Sequence, residues 1–204
     1  MVKIDFSNEI ESLKDKLWIT KKSRMESEAR MKKNANLSTT IIAYYTFFVL
    51  SFSIWALVLD VTKRSTLIVN VAAVIASVGL FGLSLLISTF NHIEKAFQYK
   101  HSYLSLDELE HKISHFSRRV PSLTDDQILD ELNCLEIEYN NILSKTENHE
   151  RIDYIKMLID KNHSRLTTGM NSEYKIYLFK NNIIKIFIFC APPIVAIATF
   201  LINT

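Results

Sequence analysis

The sequence predicts an all-α membrane protein: a transmembrane helical hairpin, helical segments on its cytosolic side, and a third, C-terminal membrane segment. Two uncharged runs, Ser38–Leu59 and Leu67–Phe90, hold 22 and 24 residues. At about 1.5 Å per residue, each is long enough for a hydrocarbon core of about 30 Å. Only seven residues, Asp60 to Thr66, separate them, so the two must fold back on each other. Among 204 residues there are three Gly and three Pro, and 48% are hydrophobic, the composition of a helical chain with few turns. The expected divisions are 1–37, an amphipathic helix; 38–90, the hairpin; 91–182, a cytosolic helical region; and 183–202, the third apolar segment.

In the first division Phe6, Ile10, Leu13 and Leu17 recur at spacings of four, three and four, the apolar stripe of an amphipathic helix that is expected to run to about Asn34. Glu26 with Arg30 and Glu28 with Lys32 are acid-before-base pairs at i,i+4. The basic face that ends in Lys32 and Lys33 reads either as a contact for anionic headgroups or as a solvated surface. No secretory signal opens the chain, because nine Lys or Arg precede the first apolar run. Lys21, Lys22, Arg24, Arg30, Lys32 and Lys33 before the hairpin and Lys95 and Lys100 after it outweigh Lys63 and Arg64 in the loop, which predicts a cytosolic amino terminus. Tyr44, Tyr45 and Trp55 lie toward the ends of the first run, as interfacial aromatics do.

After the hairpin the helix is expected to project past Phe97, with Ser105 and Glu108 marking a new cap. Val120-Pro121 is the next break, and Thr124 with Gln127 forms a second capping pattern. The helix that follows carries Ile128, Leu132, Leu135, Tyr139 and Ile142 at spacings of four, three, four and three. This coiled-coil-like seam needs a partner helix, from the same chain or from another subunit, and makes these five residues candidates for partner docking. Another helix is expected over Arg151–Leu166, with Gly169 as its stop. The run Ile183–Ile202 carries Lys185 near its start and Pro192-Pro193 in its middle. Two readings stay open for it, a third span or a re-entrant segment broken at the prolines.

Net charge is +2, from 24 basic against 22 acidic residues, too balanced for a nucleic-acid footprint, and no sequence-specific nucleic-acid binding is expected. Cys134 and Cys190 have no metal-like spacing. No Gly-rich phosphate loop, paired-Cys motif or Gly-x-Ser-x-Gly elbow occurs, so no catalytic residue, metal or cofactor is expected, and the chain does not read as an enzyme. His149 and Asp153 would share a helix face, but two possible ligands do not make a metal site. More informative is the second run, where Asn70, Ser77, Ser84 and Asn91 recur at intervals of seven, with Ser88 on the adjoining turn. The stripe is either a close-packing seam between helices or the wall of a pore built from several hairpins.

The order of parts carries a resemblance. Leu13-x3-Leu17-Trp18-Ile19-Thr20-Lys21-Lys22-Ser23-Arg24 is followed by Glu28-Ala29-Arg30-Met31-Lys32-Lys33, then the hairpin, then Tyr139–Tyr154 with its Glu-Asn-His-Glu and Ile-Asp-Tyr pieces. This resembles the SLATT family of two-span membrane proteins, and looks closest to the subgroup encoded beside reverse transcriptases in bacterial defence loci. The resemblance implies a multi-pass protein of the bacterial inner membrane. It also implies a homo-oligomeric pore-forming effector of antiviral defence, acting by abortive infection when a partner, a reverse transcriptase or a nucleotide-signal sensor, is triggered. A non-conducting scaffold that anchors such a sensor is the alternative. The third apolar run is an addition to the two-span plan.

Overall fold

A computed structural model describes residues 6–58 and 64–203. It is all-α, with helices α1 (Ser7–Val58), α2 (Arg64–Thr89), α3 (His92–Arg119), α4 (Asp125–Ser144), α5 (Arg151–Asp160) and α6 (Thr168–Asn203), and a 3-10 turn at Val120–Ser122. No strand occurs among the described residues. Leu59 and the loop residues Asp60 to Lys63 lie outside them. The chain divides into two compact units, residues 1–32 with 93–174, and residues 33–92 with 175–204.

The first unit is a helical bundle around a main core, with a smaller buried cluster of Met31, Ala96 and Tyr99 beside it. Phe6, Ile10, Leu13 and Leu17 of α1 meet Leu106, Leu109, Ile113 and Phe116 of α3 and Ile128, Leu132, Leu135 and Ile142 of α4, with Tyr139 packed against them. Of the two partners left open for the α4 seam, the structure supplies the one within the chain. Ile128, Leu132, Leu135 and Ile142 are buried and Tyr139 is half-buried, so none of the five presents a free docking surface; what α4 exposes instead is Leu129 and Ile137. Leu135→Glu should therefore act on folding rather than on partner capture. A buried carboxylate without a partner is expected to cost several kcal/mol, read as lost helicity or a lowered melting temperature of the purified protein.

Local chemistry explains most boundaries. The Thr124 hydroxyl accepts from the Gln127 amide and the Gln127 side chain accepts from the Thr124 amide, the expected capping box. Thr124→Ala should cost about 1 kcal/mol, measurable as a small shift of the melting transition. Four expectations change. The first helix does not stop near Asn34; with no Gly or Pro to break it, α1 continues unbroken to Val58. The second helix does not run on past Phe97. It ends at Thr89, and Asn91 takes a left-handed conformation, φ 46°, before α3 begins. Asn is among the few side chains that tolerate that region. Ser105 caps nothing, because α3 passes through it between buried Ser102 and Leu106. Finally, α5 ends at Asp160, with Asn162 at φ 47°, and Gly169 lies in the first turn of α6 rather than at a stop.

In the second unit α1, α2 and α6 each carry a stretch long and apolar enough to cross a membrane. Their outward side chains are apolar: Phe47, Ile54 and Leu57 on α1, Val74, Ile75 and Phe81 on α2, and Phe187 and Ile197 on α6 are all more than half exposed. In water this would be an unsupportable surface; against lipid it is the expected one. The interior contacts are made by small side chains, with Ala56, Thr66, Val69 and Ala73 buried, as is usual where membrane helices touch.

Candidate functional sites: a buried polar junction and a proline-bearing membrane helix

Sequence stretches that carry the resemblance, on either side of the hairpin, meet in the first unit. Positions 23, 24, 27, 30 and 31 of α1 fall on one helical face, and that face is buried at Ser23, Arg24, Ser27 and Met31. Asp153, only 2% exposed, lies opposite. Its carboxylate accepts from Ser27 Oγ at 2.8 Å, from Arg30 Nε at 2.7 Å and Arg30 Nη2 at 3.0 Å, and from the Glu150 amide at 3.3 Å. Asp153 is thus both the N3 member of the capping box that starts α5 and the anchor of α5 on α1. Arg30 also reaches Glu150 through Nη1 at 2.9 Å. The neighbouring residues are held in turn: the Tyr99 hydroxyl donates to the Asn148 carbonyl at 3.2 Å, and Lys95 pairs with Glu147 at 3.0 Å.

Arg24 is fully buried and has no carboxylate in ion-pair range among the described residues. Its guanidinium donates to Ser102 Oγ and, at 3.5 and 3.4 Å, to the carbonyls of Ile142 and Leu143. Those carbonyls belong to the last turn of α4, where a cation complements the helix dipole. Burial holds the guanidinium below its ordinary pKa. Arg24 Nε and Ser23 Oγ have no hydrogen-bond partner. A buried charge without an opposite charge is poor for stability, so this corner of the bundle is not optimised for rigidity.

The acid-before-base pairs read from sequence are only partly kept. Glu28 and Lys32 pair at 2.6 Å, but Glu26 pairs with Lys156 of α5 and Arg30 with Asp153 and Glu150. Lys21 binds Asp107 and Glu110 of α3; burial pulls its ammonium down, yet the two carboxylates outweigh that and raise its pKa. His149 and Asp153 do not form a metal pair. His149 precedes α5, the Asp153 oxygens are occupied by Ser27 and Arg30, and no group of metal-ligating side chains occurs among the described residues.

Burial first, and then the positive charge of Arg24, hold the His149 pKa below its ordinary 6.5, while Asp153 pulls the other way. The unfolded chain therefore takes up this proton at a higher pH than the folded chain. The associated stability is present above about pH 6.5 and is lost as pH falls toward the folded value. His149→Gln should flatten the acid-side loss of stability in a pH series of thermal melts.

In the second unit the stripe residues are placed as follows. Asn70 and Ser77 are exposed on α2 and Ser84 is half-exposed; Ser88 is exposed at the end of the helix; Asn91 is not part of the stripe, being the left-handed residue that follows α2. Ser77 and Ser84 donate to the carbonyls of Ala73 and Leu80, one turn back, at 2.9 Å each, and Ser88 donates to Leu85 at 2.7 Å. This back-bonding lowers the cost of a hydroxyl in an apolar setting.

The prolines of α6 have a compensation that sequence reading missed. Proline lacks an amide hydrogen, so Pro192 and Pro193 free the carbonyls four residues earlier, Ile188 and Phe189. The Tyr45 hydroxyl donates to Ile188 O at 2.8 Å, and the Tyr44 hydroxyl to Phe189 O at 2.8 Å. In hydrocarbon an unsatisfied carbonyl costs several kcal/mol, and so does an unsatisfied hydroxyl. Two adjacent tyrosines therefore answer two adjacent prolines, and α6 remains helical throughout. Tyr44 and Tyr45 are the seventh and eighth residues of the run from Ser38, and Ile188 and Phe189 the sixth and seventh of the run from Ile183. The bonds therefore join residues that lie inside both apolar runs.

Three apolar helices with lipid-compatible surfaces, joined in one chain to a helical unit built on a buried ionic junction, define an all-α multi-pass membrane protein. The chain belongs to the SMODS and SLOG-associating 2TM effector domain family 5, which matches it over residues 6–199. That family is described by its role as an effector and not by a reaction. No curated protein and no solved structure matched the chain. The family description counts two membrane helices; this chain has a third helix long and apolar enough to cross.

Proposed function

We propose that the protein is the membrane effector of a bacterial antiphage system. On this reading it oligomerises when a sensor partner is triggered, and it opens or disrupts the inner membrane to abort the infection. The observation that carries this is the match, over nearly the whole chain, to an effector domain family defined by its membrane helices. The exposed Asn70 and Ser77 on α2 support it, because polar groups on an otherwise apolar helix favour contact with water or a neighbouring subunit. The buried but unpaired Arg24 supports a helical unit that rearranges on activation, since a loosely compensated charge lowers the cost of a change in packing. The sensor is a reverse transcriptase or a source of a nucleotide signal, encoded nearby. The amino terminus faces the cytosol, a reading that the excess of Lys and Arg before Ser38 supports. α6 enters from the same face as α1, leaving the carboxyl terminus outside.

The test is dye release from liposomes of bacterial lipid carrying the purified protein, with and without its partner. Partner-dependent release is expected, and Ser77→Leu with Ser84→Leu should reduce it strongly. Intact vesicles with a partner that demonstrably binds would overturn pore formation in favour of a scaffold. That scaffold would have to use a surface other than the α4 seam.

A further inference from the structure

The outward apolar face of α6 begins before its apolar run does. Ile176 and Phe179 precede Ile183, yet they are 67% and 69% exposed, as open as Ile197 and Leu201 within the run. At about 3.6 residues per turn, Ile176, Phe179, Ile183, Phe187, Ile197 and Leu201 fall within about 80° of arc, one continuous stripe. From Ile176 to Leu201 it extends about 38 Å, against about 30 Å for the hydrocarbon core of a bilayer and about 40–45 Å with the headgroups. The part that outreaches the core also differs in kind. From Lys175 to Asn182 the apolar Ile176, Leu178 and Phe179 are interleaved with Lys175, Lys180, Asn181 and Asn182. Lys175 and Lys180 flank the Ile176–Phe179 end of the stripe, about 70° to either side. No Asp or Glu follows Glu173 in the sequence, and Glu173 is taken by Arg151. Neither lysine has an ion pair among the described residues.

We infer that α6 is seated from Ile176 to Asn182 in the headgroup layer of the bilayer, with Lys175 and Lys180 on the phosphates of anionic phospholipids. The inference rests on α6 spanning the membrane, and adds where its lipid contact starts and which lipids it selects. Bulk water is a poor neighbour for this face, because it would leave two large side chains bare at the end of a stripe that is otherwise lipid-facing. Hydrocarbon is no better, since a tilt that buried Ile176 would draw Lys180, Asn181 and Asn182 below the headgroups. A second copy meeting the face about a two-fold axis would set Lys175 and Lys180 against the same two lysines. The headgroup layer accepts both kinds of side chain at once. It is about 5–8 Å thick on each side, and Phe179 stands about 6 Å along the axis from Ile183, with Ile176 at the rim of the layer. An apolar stripe there enters the acyl boundary while flanking ammonium groups reach the phosphates.

The experiment uses the full chain in nanodiscs of phosphatidylcholine and phosphatidylglycerol, with Cys134→Ser and Cys190→Ser as background. A spin label is placed in turn at Ile176→Cys, Phe179→Cys, Phe187→Cys and Leu129→Cys, and its depth is read from collisions with oxygen and with a water-soluble nickel chelate. Phe187 should report the core, exposed Leu129 of α4 the aqueous phase, and Ile176 and Phe179 a depth between them. Aqueous values at Ile176 and Phe179 with Phe187 in the core would overturn the proposal and leave the span standing; aqueous values at all four sites would overturn the span itself. Spin–spin broadening at Ile176 and Phe179 that disappears on dilution with unlabelled chain would overturn it in favour of a second copy. The lipid preference is read by native mass spectrometry. Lys175→Gln with Lys180→Gln should lower the phosphatidylglycerol retained by the protein several-fold and leave phosphatidylcholine unchanged, while equal retention would overturn the phosphate contact. Both lysines are exposed and unpaired, and retained helicity reports that the variants are folded.

Discussion

Asp153→Ala should be the most damaging single substitution in the helical unit, lowering unfolding free energy by about 3–5 kcal/mol, the usual result of removing one partner from a buried ion pair. The carboxylate is 2% exposed and accepts four hydrogen bonds, from Ser27, both Arg30 donors and the Glu150 amide. Its loss takes the buried carboxylate from the mostly buried Arg30, removes half of the α5 capping box and breaks the buried contacts of α5 with Ser27 and Arg30 of α1, leaving Glu26–Lys156 and the exposed Arg30–Glu150 pair to hold it. Glu150→Ala is the control. It breaks a contact to the same Arg30, but the Glu150 side chain is 59% exposed, so the cost should stay near or below 1 kcal/mol. Denaturation of the detergent-solubilised protein, followed by fluorescence of Trp18, which stacks on His163, reports on this unit. Equal effects of the two substitutions would show that burial of Asp153 is not what holds α5.

The second large effect belongs to the membrane helices. Tyr44→Phe with Tyr45→Phe leaves the Ile188 and Phe189 carbonyls unanswered in hydrocarbon, an expected loss of several kcal/mol for the pair. Restoring the amides by Pro192→Ala with Pro193→Ala should make the same tyrosine changes nearly neutral, because those carbonyls then have partners within the helix. The four proteins form a double-mutant cycle whose coupling isolates the interaction from the general effect of each change. Thermal inactivation in nanodiscs is a suitable measure. A tyrosine effect of the same size in the proline-free background would rule out the pairing.

These two sites differ in how far they were legible in sequence. The apolar runs, the α1 stripe and the α4 seam announce helices by period, and Thr124 announces a cap by residue type; all of these are local signals. What period cannot state is which face meets which, so the seam's partner stayed open until α1 and α3 were seen to cover it. Arg30 and Asp153 are visible as motif pieces, but their junction joins residues more than 120 positions apart. Tyr44 and Tyr45 looked like interfacial aromatics. The signal that could have exposed them was arithmetic: subtract four from each proline and ask what answers the freed carbonyl. By spacing Asn91 reads as a member of the α2 stripe, and Asn162 carries no boundary signal, because a left-handed Asn leaves no pattern stronger than its own identity.

The pairing of tyrosines with prolines also bears on the order in which the protein can be made. The segment that needs help to stay helical in the bilayer leaves the ribosome after the run that carries the hydroxyls that help it. A chain carrying Pro192-Pro193 ahead of Tyr44-Tyr45 would have to insert its broken helix before its partner existed. In the natural order the acceptors emerge into a membrane where their donors are already waiting.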